Sequence, residues 1–380
     1  MLDRVLDHVA PVLAFALTLA LSPVSVAAND AGQLSDPELY SRFESRWQLL
    51  LRSDRHSDGL PLRDLDDDNW DKLVPRAGRN LAYVHDELRI TRRHLDWAFS
   101  LLARSSATLV VNNEALTLAQ QIANGQLPAA DARWQTSMRL RGFSGAGVEL
   151  GRGHTLSPEW SARWSVQALA LTRWRDRSLH GPVSFDAASA TYSFDLHSRE
   201  TNDRLRFPFQ ESFDPRGAGL LLGGELAWHG ERWSAALALR DGGWLRWAGV
   251  PQQRARLNTA TQTFDADGFL VYQPLIVGQN TQEATTVTRP WHGTLKTAYR
   301  MTAATAFGLT IDTVPGFGAL PALWWRQRLG AVELGIAWRV HERRATLSAS
   351  WRGWQLRAGT DRFGAGARSR ELMASYSVLR

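Results

Sequence analysis

The sequence predicts an all-β fold, a transmembrane antiparallel β-barrel of about 14 strands (range 12–16) with a short N-terminal helical region. Apolar residues recur at nearly every second position in long segments such as "WSARWSVQALALTRW", from Trp160 to Trp174. That period fits a strand and not a helix, and the segment is longer than most strands of soluble proteins. The 17 tryptophans suit the two interfaces of a membrane, where amphipathic rings collect.

The first 28 residues predict a cleaved secretory signal peptide. Arg4 precedes a mainly apolar run that ends in the small residues Val26-Ala27-Ala28. A single membrane anchor is the alternative, but Pro11 and Pro23 interrupt the run. No later segment reaches 18 consecutive apolar residues, and mean hydropathy is −0.28. A barrel is compatible with this value because its lipid face uses only alternate residues.

Composition restricts the partners of the exported chain. It contains no cysteine, so neither disulfides nor thiolate metal sites can form. The net charge is +6, and only Lys72 and Lys296 among the 44 basic residues are lysines. The arginines are interleaved with acids along strand-like segments, so we expect no nucleic-acid partner. Outer-membrane lipid and lipopolysaccharide are the expected counter-charges.

Residues 29–78 predict a separate N-terminal helical region, either periplasmic or inserted as a plug. Ser35 to Glu38, "SDPE", forms a capping box, and apolar residues then follow at helical spacing. These apolar residues are Tyr40, Phe43, Trp47, Leu50 and Leu51. The helix could pack against the barrel or bind a periplasmic protein partner. The acidic run Asp64 to Asp71 lacks the glycine and closing glutamate of a calcium loop and is interpreted as a solvated turn.

Residues 79–380 predict the barrel, with a helical insertion near 112–133 and a long extracellular loop at 242–291. The predicted strands are 80–92, 96–110, 136–152, 158–175, 189–200, 217–229, 231–241, 292–302, 304–314, 319–329, 331–341, 344–352, 353–361 and 368–379. Barrels of this kind keep periplasmic turns short. In this prediction the connections 111–135 and 176–188 violate that rule, since both are long and fall on the periplasmic side.

The two faces of these strands predict two sets of side chains. Polar residues on the inward face are the pore-lining candidates: Arg104, Arg163, Gln167, Arg173, Glu225, Arg240, Lys296, Arg300, Arg326, Glu333, Arg339, Arg352 and Arg357. Aromatic residues on the outward face are the candidates for the membrane interface: Trp97, Trp160, Trp174, Trp228, Trp233, Trp338, Trp351, Trp354 and Tyr376. The inward set is mostly basic, which favours anions; alternatively, the charges pair and fill a structural lumen. Inward Leu169 and Leu171 predict that something apolar packs inside.

The stretch "FDADGF" within 242–291 predicts an Asp-Gly hairpin that could constrict the lumen. Its candidate residues are Asp265, Asp267, Gly268 and Phe269. The histidines are scattered without paired metal spacing, so neither a metal nor a cofactor is expected. Ser144 lies among glycines but lacks the spacing of a nucleophile elbow, so no catalytic residue is assigned.

The signal peptide, the two-faced strands with tight turns and the strand-like end "ELMASYSVLR" resemble bacterial outer-membrane β-barrel proteins of the porin-like class. The resemblance covers residues 80–380, although members usually end on an aromatic residue and this chain ends in Arg380. It implies location in the outer membrane of a Gram-negative bacterium. The expected function is a channel for uptake or export with a basic, partly plugged lumen, and not an enzyme. A non-conducting anchor for an envelope or secretion complex is the alternative.

Overall fold

The protein is a closed barrel of fourteen antiparallel strands in a computed structural model. The structure describes residues 45–379 except 66–71, 209, 211, 213–215, 261, 265–269 and 273. The predicted signal peptide, the capping box and the constriction-loop candidates Asp265, Asp267, Gly268 and Phe269 lie outside the described residues. The predicted all-β fold class, an antiparallel barrel of about 14 strands, is confirmed.

Eighteen strands and one α-helix are described. The barrel strands are β1 (Ser45–Ser57), β2 (Arg79–His94), β3 (Trp97–Asn112), β4 (Ala132–Thr155), β5 (Trp160–Asp186), β7 (Gly217–His229), β8 (Trp233–Asn258), β12 (His292–Arg300), β13 (Thr305–Val314), β14 (Gly318–Leu329), β15 (Val332–Arg339), β16 (Arg344–Trp351), β17 (Trp354–Thr360) and β18 (Ser369–Leu379). The remaining elements are β6 (Thr191–Asn202), β9 (Gln262–Phe264), β10 (Leu270–Tyr272), β11 (Ile276–Arg289), the helix α1 (Asn113–Ala123) and a 3-10 turn (Leu62–Leu65).

Strand β1 closes the barrel by pairing with β18 on one side and β2 on the other. The prediction of a helix through Trp47, Leu50 and Leu51 is therefore wrong, and the barrel begins at Ser45 and not at residue 79. Trp47 and Leu51 face outward, whereas Leu50 lines the lumen. Pairing with two neighbouring strands overrides a local helical spacing because it satisfies both edges of the segment.

The added first strand also reverses the orientation of every strand up to β5. Ser45 pairs with Leu379, so both chain ends of the barrel lie at the end where the turns are short. The long connection after β3 then lies at the opposite, long-loop end, together with the β5–β6 hairpin. The two connections that violated the rule of short periplasmic turns therefore obey it.

Beyond the barrel proper, strands continue at the long-loop end. Strand β6, predicted at 189–200 as a barrel strand, instead pairs with the upper parts of β5 and β8. The predicted loop 242–291 is mostly strand, since β8 continues to Asn258 and pairs with β11. The predicted count of fourteen barrel strands is right, because the prediction omitted β1 and counted β6 in its place. Strands β9 and β10 form the expected separate hairpin.

The helical insertion expected near 112–133 is present as α1, residues 113–123. The side chain of Asn112 caps it by accepting a hydrogen bond from the backbone N–H of Ala115 at 3.2 Å. Leu118 of α1 packs with Trp134, Val183 and Phe185 on the upper sheet. Among the described residues, no helix is long and apolar enough to cross a membrane.

The outer face of the barrel is apolar and exposed. Leucines such as Leu101, Leu323 and Leu347 are more than half exposed there. Such a continuous apolar exterior is stable against lipid and not against water. Around the short-turn end stand the exposed predicted interface aromatics Trp97, Trp160, Trp233, Trp351 and Trp354, with Trp228 and Tyr376 half-buried beside them. Trp338 is also exposed, closer to the long-loop end.

Trp174 is the exception among the predicted interface aromatics, because it is only 3% exposed. Strand β5 carries one extra residue, Thr172, between the pairs Gly145–Leu171 and Ser144–Arg173. A bulge of one residue moves every following side chain to the opposite face. Trp174 therefore joins Leu169 and Leu171 in an apolar cluster with Leu245, Trp247 and Val250 of upper β8. That packing is the apolar partner expected for the two inward leucines.

We expect Leu171→Ala to lower the free energy of unfolding by about 2–5 kcal/mol, because it leaves a cavity in this cluster. Leu171 is 1% exposed, whereas Leu323 on the outer face is 57% exposed. Leu323→Ala is thus the matched control and should cost clearly less. Reversible guanidinium unfolding from phospholipid vesicles measures both. Equal losses for the two variants would contradict the packing described.

Candidate functional site

The barrel encloses a cavity of about 400 Å³. All fourteen barrel strands contribute residues to its lining, so it lies on the barrel axis and not in the wall. Each strand directs alternate side chains inward, and those positions carry the polar half of the two-faced sequence pattern. The cavity is therefore the candidate functional site.

The lining is charged, with basic residues in excess. Ten arginine or lysine side chains and seven aspartate or glutamate side chains line the cavity. Nine of the thirteen pore-lining candidates are among the lining residues: Arg104, Arg163, Gln167, Glu225, Arg240, Lys296, Arg326, Arg339 and Arg357. Strand periodicity alone was sufficient to select these nine.

The other four candidates do not line the cavity, each for a local reason. Arg173 follows the bulge at Thr172, where the faces of β5 exchange. Arg300 lies at the short-turn end of β12. Glu333 lies near the same end of the barrel on β15, and its carboxylate is 3.9 Å from Arg328. Arg352 belongs to the β16–β17 turn, with a φ of 46° and its guanidinium over the ring of Trp351.

Several lining residues were not among the thirteen pore-lining candidates. Arg52 belongs to β1, a segment that was predicted as a helix. Asp241 falls at the end of a predicted strand. Glu149 and the histidines His85 and His292 also line the cavity. Glu149 lies on the inward face of β4, so the period of two could have identified it.

One ion pair crosses the lumen from β3 to β8. The guanidinium of Arg104 donates to both carboxylate oxygens of Asp241, at 2.6 and 2.8 Å, and to Gln167 at 3.1 Å. Both charged side chains are about one-tenth exposed, at 10% and 9%. Strands β3 and β8 are separated by three other strands in the barrel wall, so the pair is a strut across the interior.

Asp241 sits where β8 bends away from β12. Its φ of 64° lies in the left-handed region, which aspartate tolerates better than most residues, and Gly243 follows with a φ of 151°. Past this bend, β8 no longer pairs with β12 but with β11. The strut therefore holds the point at which the upper β8–β11 hairpin leaves the wall.

A polar network continues from the strut along the β2–β5 wall. Gln167 donates to Glu149 at 2.6 Å, and Arg89 donates to Glu149 at 2.6 Å and to Glu87 at 2.6 Å. Each buried charge thereby has an opposite partner, as a low-dielectric interior requires. The network fixes these side chains against the wall.

A second charged network lies on the β16–β18–β1 wall. Arg344 is fully buried and donates to Asp54 at 2.8 Å, to Glu371 at 3.1 Å and to Ser369 at 3.0 Å. Tyr83 on β2 donates to Glu342 at 3.1 Å, which joins this wall to the β15–β16 turn. These contacts occupy the lumen next to the long-loop end.

Apolar contacts also meet across the long-loop end. Leu81 and Tyr83 of β2 cluster with Val314 of β13 and Leu320 of β14. Strands β2 and β13 stand on opposite sides of the barrel in the strand order. Together with the cluster around Trp174, these side chains narrow the lumen at that end.

One serine–histidine contact inside the barrel joins two residue types that can act together in nucleophilic chemistry. Ser106 Oγ lies 3.0 Å from Nδ1 of His85 on the neighbouring strand. Ser106 is 2% exposed, and its backbone belongs to the β2–β3–β4 ladder. The ladder uses the backbone N–H groups beside Ser106, whereas nucleophilic acyl transfer needs free N–H groups directed at an oxyanion. The contact is interpreted as a satisfied buried pair.

Comparison with known proteins returns structural similarity only. The sequence matches no family model and no curated protein. The toluene transporter TodX of P. putida aligns with 88% of this chain and 89% of its own, at 9% identity and a TM-score of 0.39. The toluene transporter TbuX of Ralstonia pickettii aligns with 89% and 90%, at 6% identity and a TM-score of 0.34.

The translocator domain of the autotransporter NalP from Neisseria meningitidis aligns with 88% of this chain and 89% of its own, at 8% identity and a TM-score of 0.30. At such identities and TM-scores, none of these similarities bears on the activity or substrate of this chain. The closed barrel is established by its own strand pairing.

We expect Asp241→Asn to lower the free energy of unfolding by about 3–5 kcal/mol, because it leaves the buried Arg104 charge without its partner. Asparagine also tolerates the left-handed φ, so the loss reports charge and not backbone strain. A double-mutant cycle with Arg104→Gln should yield a coupling of about 0.5–3 kcal/mol. The measurement is guanidinium unfolding of the four proteins in vesicles.

The control is the pair Arg256–Asp195, which is also bidentate, with Nε and a terminal nitrogen of Arg256 donating at 2.8 and 2.8 Å. Its side chains are 53% and 37% exposed, so solvent screens the interaction. Asp195→Asn should leave stability nearly unchanged. An effect as large as that of Asp241→Asn would refute the role of burial.

Proposed function

We propose that the protein is an outer-membrane channel for uptake or export of small polar solutes, with a preference for anions. The observation that carries the proposal is the cavity lined by all fourteen strands, with ten basic and seven acidic side chains. Eight-stranded barrels leave no channel and those of sixteen or more leave a wide one, so fourteen strands fit a narrow lumen. A basic lining in a low-dielectric wall favours anions.

The outer membrane is the proposed location because of the exterior. Antiparallel closed barrels with an apolar band, an aromatic girdle and turns that are short at one end are typical of that membrane. The short-turn end would face the periplasm and the long-loop end the exterior. Lipid and lipopolysaccharide are then the partners of the outer face, and the arginines of the long-loop end would meet anionic headgroups.

The narrowing at the long-loop end supports a channel that is restricted on its outer side. The Arg104–Asp241 strut and the cluster around Trp174 both engage the upper part of β8. Above Arg240, β8 leaves β12 and pairs with β11, while its other edge stays on β7 and β6, so the β8–β11 hairpin is fixed at this narrowing. The hairpin, whose connection includes the predicted stretch 264–269, is therefore the proposed constriction.

A non-conducting anchor of an envelope complex is the second candidate. The network around Arg344 favours this candidate, because its paired charges fill part of the lumen instead of lining an open passage. A periplasmic partner would then bind through residues of the 29–78 region that precede β1. No catalytic activity is proposed for either candidate.

The presence of a conductance distinguishes the two candidates, and its selectivity tests the anion preference. In planar bilayers with a KCl gradient, the channel should carry an anion-selective current. Lys296→Gln with Arg163→Gln removes two positive charges from the lining and should move the reversal potential toward zero. Asp241→Asn should raise the conductance or its open probability, because the strut is lost.

Arg352→Gln is the control, since Arg352 is a former pore-lining candidate that does not line the cavity. It should leave the reversal potential unchanged. Absence of any current from the wild type and from Asp241→Asn would reject the channel and leave the anchor. A cation-selective current would reject the anion preference alone.

A further inference from the structure

Two histidines and an aspartate converge at the long-loop end, outside the cavity. Nε2 of His56 lies 3.1 Å from one carboxylate oxygen of Asp58, and Nε2 of His341 lies 3.0 Å from the other. One ligand atom from each of the three residues lies within 4.8 Å of the others. His56 and Asp58 are fully buried, and the side chain of His341 is 22% exposed.

The fold brings these residues together from distant parts of the chain. His56 is near the end of β1, Asp58 follows that strand, and His341 lies in the turn between β15 and β16. Strands β16, β17 and β18 separate the two sides in the barrel wall. Sequence spacing could not reveal the group, which is why the histidines seemed scattered.

The carboxylate of Asp58 is held by donors on its remaining positions. The backbone N–H of Leu81 donates to one oxygen at 2.7 Å, and the guanidinium of Arg76 contacts the other. Each carboxylate oxygen has two acceptor positions, so one on each oxygen faces a histidine. Donors of this kind orient metal-binding carboxylates in characterised sites.

The charge state of Asp58 suits a ligand. The contacts of Asp58 with the guanidinium of Arg76 and with the backbone N–H of Leu81 favour the charged carboxylate. Neutral imidazoles bind metals through the same nitrogens that now face Asp58.

The distances also suit coordination. A metal about 2.0–2.2 Å from imidazole nitrogen and carboxylate oxygen sets neighbouring ligand atoms about 3 Å apart. That is the separation of both His–Asp contacts. Two imidazoles with one carboxylate select borderline metals such as Zn²⁺ over Ca²⁺ or Mg²⁺, which require mostly oxygen ligands.

We propose that His56, Asp58 and His341 form a divalent transition-metal site of the Zn²⁺ class, with water as the fourth ligand on the exposed side of His341. On metal binding, the proton of each imidazole would move from Nε2 to Nδ1 of the same ring, so that both Nε2 lone pairs face the metal. It would tie the β1–β2 connection to the β15–β16 turn across the long-loop end. The positive charges of Arg76 and of Arg368, which donates to the backbone oxygen of Asp58 at 3.2 Å, weaken the affinity without removing the ligand set. The proposal is independent of whether the barrel conducts.

The competing interpretation is a hydrogen-bonded cluster in which both imidazoles donate to Asp58 and no metal binds. His341→Gln separates the two, because glutamine can still donate to the carboxylate but is a poor ligand. His341 lies in a turn and is partly exposed, so this variant spares the buried His56 and Asp58.

The experiment uses the full chain folded in detergent, stripped with chelator and dialysed against Zn²⁺, with bound metal measured by mass spectrometry and calorimetry. The wild type should bind one Zn²⁺, and His341→Gln should bind at least about tenfold more weakly. Zn²⁺ should also raise the unfolding temperature of the wild type but not that of the variant.

His197→Gln is the matched control, because His180 and His197 form an exposed stacked pair with ring centroids 5.3 Å apart. His180 and His197 could bind metal adventitiously. Since the proposed site does not include them, His197→Gln should keep the one Zn²⁺ and its stabilising effect. Binding of less than about a tenth of an equivalent by the wild type would overturn the proposal. Equal binding by His341→Gln, or loss of binding in His197→Gln, would overturn it as well.

Discussion

The closure of the backbone hydrogen-bond ladder is the constraint on which the rest of the structure depends. A strand that faces lipid has no water to satisfy an open edge, so the first and last strands must pair with each other. Here β1 pairs with β18 from Ser45 to His56 and with β2 along its other edge. The closed ladder sets which residues face inward, and thereby assembles the cavity, its ion pairs and the group at Asp58.

Most of the barrel could be predicted because its strands repeat one simple rule. Inward and outward residues alternate, so Arg240 and Lys296 could be assigned to the lumen and Trp233 and Trp354 to the exterior without any long-range information. The turns at the short-turn end are tight, and Gly230, Gly330 and Gly353 in three of them help to delimit the strands. Fold class and much of the lumen lining follow from that rule alone.

The errors occurred where non-local pairing outweighs local pattern. Trp47 and Leu51 fit a helical spacing as well as a strand, and only the edges offered by β2 and β18 decide between them. Trp174 changes face because Thr172 is an extra residue opposite β4, which alternation by itself cannot reveal. The contact of Arg104 with Asp241 depends on which strands face each other across the barrel. The contacts of His56 and His341 with Asp58 depend on the strand order in the same way.

Residues 45–57 are the strand that closes the barrel, and the absence of cysteine from the sequence permits a direct test of that pairing. Leu51 is the register partner of Ala374. Partners in antiparallel strands lie about 4.5–5.5 Å apart at Cα, within the range of about 4.4–6.8 Å that a disulfide spans. Cysteines at 51 and 374 should therefore cross-link on oxidation of the membrane-inserted protein, whereas cysteines at 51 and 375, on opposite faces, should not. Failure of the first pair, or equal cross-linking of both, would contradict the closed barrel.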